Sequence, residues 1–100
     1  MTKARDIARD MTIRVSSTAV STAIPGETVI LDPTSGRYFG LDGVGSRVWD
    51  MLQEPTTVAA IVAAITSEFD VDEATCERDL RALLEDLEAK GLVAVGDAKA

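Results

Sequence analysis

Any chemistry in this chain would have to come from one thiol, a run of carboxylates and a glycine-rich fragment, because its 100 residues include one cysteine, Cys76, and no histidine. Without an imidazole, Ser-His-Asp and Cys-His catalysis have no general base, and the usual zinc sites lose a ligand type. No Lys lies near Cys76 in sequence to lower its pKa, and Glu77 and Asp79 would raise it, so it reads as a small apolar residue of a core or groove. A lone cysteine forms no intramolecular disulfide, which fits a reducing compartment. Between residues 72 and 88, Asp72, Glu73, Glu77, Asp79, Glu85, Asp86 and Glu88 stand against Arg78 and Arg81. Carboxylates spread in this way along one helix make a solvated acidic face more often than an acid/base pair. The fragment from Gly40 to Gly45 follows a strand-like segment and opens a helix-like one, as a phosphate loop does. It lacks a third glycine at the required spacing and a following Lys-Ser/Thr, and Asp42 would repel a phosphate. We therefore expect no catalytic residue, no metal site and no cofactor.

Charge narrows the partners. The formal net charge is −7, whereas duplex binding needs Lys and Arg aligned to neutralise phosphates and release counterions. The only mildly basic stretch is residues 1–14, with Lys3, Arg5, Arg9 and Arg14 against Asp6 and Asp10. Nucleic acid is not an expected partner. Nor is a membrane, since no apolar run reaches about 18 residues and the charged start lacks the apolar segment of a secretory signal. These features lead us to expect a cytoplasmic protein.

The elements that would position a binding site come next. Residues 1–11 are polar enough to read as a flexible tail, residues 12–96 as one domain, and residues 97–100 as a flexible end. Alternation from Thr12 (Ile13 and Val15 on one face) predicts a half-buried strand, and a weaker one over 19–24 ends at the Pro25-Gly26 turn. Thr28 to Asp32, the turn Pro33 to Gly36, and Arg37 to Leu41 predict a hairpin. Asp42 is placed to cap a first helix burying Val44, Val48, Met51 and Leu52, with Trp49 on the flank of that stripe. Thr57 caps a second helix (Val58, Ile61, Val62, Ile65, Phe69). Asp72 caps a third (Leu80, Leu83, Leu84, Leu87, with Cys76 one turn earlier), which Gly91 stops. Leu92 to Val95 either adds a short strand or merely packs. The expected fold is α+β and winged helix-turn-helix-like, with a three-stranded antiparallel sheet packed on three helices.

Such a module binds partners, and the mode its residues suit is strand addition, in which an extended peptide pairs with an open sheet edge while nearby pockets select its side chains. Arg37, Tyr38, Phe39, Gly40 and Leu41 fit that edge: aromatics supply anchoring area and Gly40 permits close backbone approach. Packing alone also explains Phe39 and Leu41 as core and Tyr38 as cover on the far face.

Taken together, TVILD-PTSG-RYFGL, Gly-x-x-x-Trp, TV-x-x-I-V-x-x-I and a last helix ending KGLV resemble, over about residues 28–95, the PqqD-like family of stand-alone recognition elements for precursors of ribosomally synthesised, modified peptides. This resemblance implies a leader peptide that adds antiparallel to the third strand, in a groove shared with the third helix. Carried onto this chain, it makes Arg37 to Leu41 the edge. Projection at about 100° per residue puts Cys76, Asp79, Leu83 and Asp86 on one flank of the helix; were the other flank to face the strand, Glu77, Leu80 and Arg81 would replace them. The resemblance further implies an adaptor that hands its precursor to a maturation enzyme. That enzyme is a leader-cleaving cysteine protease in lasso-peptide systems and a radical enzyme in pyrroloquinoline quinone synthesis. The RYFGLDGVGSRVW wording is closer to the lasso type, whose leaders usually carry Tyr-x-x-Pro. A winged-helix nucleic-acid regulator and a bare scaffold for an enzyme complex remain as rival readings.

Overall fold

Apolar residues placed alternately on strands and at three-to-four spacing on helices meet in one core. The computed structural model describes residues 7–17, 19–33 and 35–96. In chain order the elements are β1 (Thr12–Val15), β2 (Val20–Ile24), β3 (Glu27–Asp32), β4 (Arg37–Asp42), α1 (Gly43–Met51), β5 (Thr56–Thr57), α2 (Val58–Glu68), α3 (Glu73–Ala89) and β6 (Val93–Gly96). Two antiparallel three-stranded sheets form, ordered β2-β3-β4 and β5-β1-β6.

The second sheet differs from the expectation of a single one. β1 pairs with β6 from Thr12 opposite Gly96 to Val15 opposite Val93, and with β5 through Ile13 opposite Thr56. Thus Leu92 to Val95 does contribute a strand. Alternation told which face of β1 is buried, and Ile13 is fully so, but alternation carries no information about a partner some eighty residues away.

In the first sheet Thr28 and Ile30 face inward and are buried. The Thr28 hydroxyl shares a 2.6 Å hydrogen bond with the Ser46 hydroxyl, tying β3 to α1. A bidentate pair, Arg47 Nε to Glu68 Oε1 at 2.8 Å and Nη2 to Oε2 at 2.9 Å, joins α1 to α2. Hydrogen bonding and attraction from Arg47 hold the Glu68 carboxyl below its ordinary pKa.

Helix ends behave unequally. Thr57 accepts from the Ala60 N–H and Asp72 from the Thr75 N–H, as their positions predict. Asp42 occupies the corresponding position of α1 in extended conformation, yet its side chain makes no capping bond. Its residue ends β4, and the Gly43 N–H turns instead toward the Gly26 carbonyl at 3.4 Å. At the end of α3, Gly91 has φ of 76°. The Leu92 N–H bonds the Leu87 carbonyl and the Gly91 N–H the Glu88 carbonyl, a reciprocal closure that needs the left-handed glycine.

Two placements depart from the helical patterns. Trp49 lies within the core at 2 % exposure, while Val44 is 40 % exposed. The buried residues Val48 and Trp49 fall in the second half of the nine-residue α1 and Leu52 follows it, whereas Val44 lies in its first turn. At the start of the described chain Ile7 is completely buried, its carbonyl accepts from Arg81 Nη1, and Arg9 pairs with Glu73 and Glu77. Residues 7–11 therefore pack against α3, unlike the tail expected there, because one apolar side chain among polar ones is enough to anchor a segment. The tails expected over 1–6 and 97–100 lie outside the described residues.

Candidate binding groove

β4 lies at the margin of its sheet, paired on one side with β3 from Asp32 opposite Arg37 to Glu27 opposite Asp42. Its six residues give an edge about 17 Å long at about 3.3 Å per residue. Side chains alternate across it. Phe39 and Leu41 share the inward face with Ile30 and Thr28 and pack against the core, whereas Tyr38, 70 % exposed, points to the other face. The backbone of Tyr38 is thus part of the edge, but its ring is turned away from α3.

The helical wall is the stripe Cys76, Asp79, Leu80 and Leu83, continued by Asp86 and Lys90. Positions 76 to 86 span about 15 Å of helix at 1.5 Å per residue, close to the length of β4. At one end lies an apolar cavity of about 270 Å³ lined by Val44, Gly45 and Val48 of α1, Ile65 of α2, Val71, and Cys76, Asp79, Leu80 and Leu83 of α3. Leu41 of β4 lies next to one of its lining residues: a Cβ built on Gly45 would stand 3.5 Å from the Leu41 side chain. At the other end Lys90 Nζ sits over the Phe39 ring, 5.3 Å from its centroid, and pairs with Asp86 at 2.6 Å.

The structure therefore brings Cys76, Asp79 and Leu83 together in one cavity, and places Asp86 beyond it beside Lys90. Leu80, the apolar member of the alternative flank, lines the same cavity; Glu77 and Arg81 do not. Those two face the 7–11 segment, where Arg81 also bonds Glu77 at 2.8 Å. Val44, Gly45, Val48, Ile65, Val71 and Lys90 are groove residues that sequence reasoning did not assign. The misplaced signal was the apolar stripe: Val44, Val48 and Ile65 fit a core pattern, and whether such a residue faces a core or a cavity is decided where three helices meet.

Chemically the cavity is an apolar surface of side-chain size with one carboxylate, Asp79, in its lining. Burial raises the Cys76 thiol pKa, and Asp79, Asp72, Glu73 and Glu77 raise it further, so the thiol stays protonated at neutral pH. Among the described residues no group of His, Cys, Asp and Glu side chains could hold a metal ion, and no helix is long and apolar enough to cross a membrane.

The fold has counterparts among solved structures. The chain superposes on TbiB1 in complex with the TbiA(beta) leader peptide with a TM-score of 0.76 and 46 % identity, covering 80 % of this chain and 93 % of that one. It superposes on lasso peptide synthetase B1 complexed with the leader peptide with a TM-score of 0.73 and 26 % identity, covering 82 % and 96 %. No curated protein is matched. The family of coenzyme PQQ synthesis protein D (PqqD) matches residues 27–93, from the first residue of β3 to the first of β6, and the chain belongs to that family.

Proposed function

We propose that this protein is a non-catalytic adaptor that binds the leader peptide of a ribosomally synthesised precursor, of the lasso type, and delivers it to a leader peptidase in the cytoplasm. The observation that carries the reading is the β4 edge, which no other described strand pairs, together with an apolar cavity of side-chain size, in a chain 46 % identical to a protein held in complex with a leader peptide. Backbone pairing with β4 supplies affinity and the cavity supplies selectivity. An antiparallel leader strand enters at the Leu41 end, beside the cavity, and leaves past Arg37. Arg37 to Leu41 would act through their backbone, Cys76 and Leu83 as cavity floor, and Asp79 and Asp86 as polar rim.

Magnitudes suit a carrier that must also release. Four or five added hydrogen bonds at about 1 kcal/mol net each, and one or two anchors at about 2 kcal/mol, are offset by the ordering of the peptide. The gross sum of about 6–9 kcal/mol is reduced by that ordering, so a Kd in the micromolar range or weaker follows. The family description also supports a second reading, a precursor carrier in pyrroloquinoline quinone synthesis.

Fluorescence anisotropy with the labelled leader of the precursor encoded beside this protein tests the proposal, with a scrambled leader and duplex DNA as controls. Saturable binding to the true leader alone is expected. Binding to DNA in preference to leader, or equal binding to the scrambled peptide, would overturn it.

A further inference from the structure

The sheet that carries the groove has a second margin. β2 is paired on one side with β3, from Val20 opposite Leu31 to Ile24 opposite Glu27, and no described strand pairs with its other side. Soluble proteins guard such edges with charged residues, proline or a covering element. The sequence of β2, VSTAI, has neither charge nor proline, and all five residues are exposed, Val20 at 54 % and Ile24 at 45 %.

What this edge fits can be read from the strand itself. Reversed about Thr22, VSTAI matches itself in kind: Val20 meets Ile24, Ser21 meets Ala23 and Thr22 meets Thr22. The backbone obeys the same centre. Only Pro25 and Gly26 separate Ile24 from Glu27, so these two form a hydrogen-bonded pair, and bonding alternates along the ladder from there. Ile24, Thr22 and Val20 thus bond to β3, while Ser21 and Ala23 direct their N–H and C=O groups to the free edge. An antiparallel copy related by a two-fold axis through Thr22 would add four hydrogen bonds, two between each Ser21 and the Ala23 that faces it. The Val20–Ile24 and Thr22–Thr22 contacts would then fall on the close, non-hydrogen-bonded pairs, where β-branched residues and threonine hydroxyls stabilise one another. Val20, Thr22 and Ile24 share the face opposite to buried Thr28 and Ile30, so an axis perpendicular to the sheet keeps both cores on one side of it.

Charge does not oppose the pairing. The chain carries −7, but the carboxylates of β3, Glu27 and Asp32, lie at its two ends. Across the axis Glu27 of one copy and Asp32 of the other stand three strand spacings apart, about 15 Å, beyond the screening length of about 8 Å at physiological salt.

We propose that β2 is a self-recognition edge, through which two copies of this chain pair antiparallel about Thr22 into a six-stranded sheet ordered β4-β3-β2-β2-β3-β4. Such a two-fold contact uses the same patch on both copies. It leaves the two β4 edges at the outer margins, about 24 Å apart at five strand spacings. Each copy keeps its groove, and the dimer presents two of them. The inference goes beyond the leader reading and does not depend on it.

Sedimentation equilibrium on the full chain tests it, over a range from about 1 μM to about 1 mM because the contact is small. A reversible monomer–dimer equilibrium is expected within that range. Thr22→Lys and Thr22→Glu each set like charges directly opposite across the axis and should weaken dimerisation about 10-fold or more. An equimolar mixture of the two variants should recover a heterodimer about 10-fold tighter than either variant alone, which requires residue 22 to face itself. Ala23→Pro removes an N–H from the free edge and none from the β3 ladder, so it should give a monomer with its fold intact by circular dichroism, and it carries the comparison should the Thr22 variants not fold. A wild type that stays monomeric throughout would overturn the proposal. So would a dimer indifferent to these substitutions, a mixture that associates no better than its components, or a dimer that saturating leader dissolves, which would place the contact on β4.

Discussion

Lys90 holds its ammonium over the face of Phe39, 5.3 Å from the ring centroid, while Asp86 grips the same ammonium at 2.6 Å. This contact links the end of α3 to the middle of β4, so the two walls of the groove are fastened at one end and open onto the cavity at the other. A cation over a ring is worth about 0.5–1 kcal/mol at an exposed site.

Leu83 tests the cavity. It is half-buried, unlike its neighbour Leu80, which is buried in the core, so Leu83→Asp should fold. Losing an anchor worth about 2 kcal/mol should weaken leader binding by about 30-fold or more. Wild-type affinity in a variant with native circular dichroism would exclude the cavity as a leader subsite.

Tyr38 and Phe39 are adjacent in sequence but belong to opposite faces, and their truncations should separate. Tyr38→Ala removes at most a cross-strand contact of about 0.2–1 kcal/mol, a loss of about 5-fold or less in leader affinity. Phe39→Ala should cost stability as well, since its ring packs on the core. Thermal melts and leader titrations on the two variants make the comparison.

Cys76 reports on cavity occupancy. Its thiol pKa is raised, so labelling by a maleimide should stay slow at neutral pH and accelerate only above the range of an ordinary cysteine. Saturating leader should slow it further. Labelling rates that ignore the leader would place the peptide elsewhere.

Glu68 gives the pH dependence. Its folded pKa lies below the ordinary carboxylate value because Arg47 bonds the charged form. The contribution of the pair is therefore present above the unfolded pKa and is lost as pH falls through the folded one. Carboxyl NMR titration should show Glu68 titrating at lower pH in wild type than in Arg47→Gln, and the variant should lose its extra stability specifically above the carboxylate range.

Gly91 is constrained by its backbone, since a Cβ there meets nothing within 4 Å. Gly91→Ala should cost about 1 kcal/mol through the left-handed φ alone and lower Tm by about 4–8 °C.

Much of this architecture is legible before any coordinates. Thr57, Asp72 and Gly91 announce their helix ends because capping is local chemistry, and the β3-β4 hairpin announces itself through its turn residues. Asp42 misleads because being a good cap does not help a residue already committed to the end of a strand. The groove was half legible. Cys76, Asp79 and Leu83 share a helical stripe that projection finds, but the helix α1 residues opposite them and the Lys90 contact with Phe39 depend on how separate elements dock. Ile7 was missed for a related reason: a single buried side chain has no periodicity to reveal it.

The β5-β1-β6 sheet joins the start of the domain to its end, with Thr12 paired to Gly96. During synthesis, strand β1 emerges early, can pair with β5 in mid-chain, and must wait for the last strand before its bonds to β6 can form. The β3-β4 hairpin and α1 are complete long before that. A nascent chain can thus shape β4 while β1 still lacks its β6 partner, and closure of the β5-β1-β6 sheet waits for β6 to emerge.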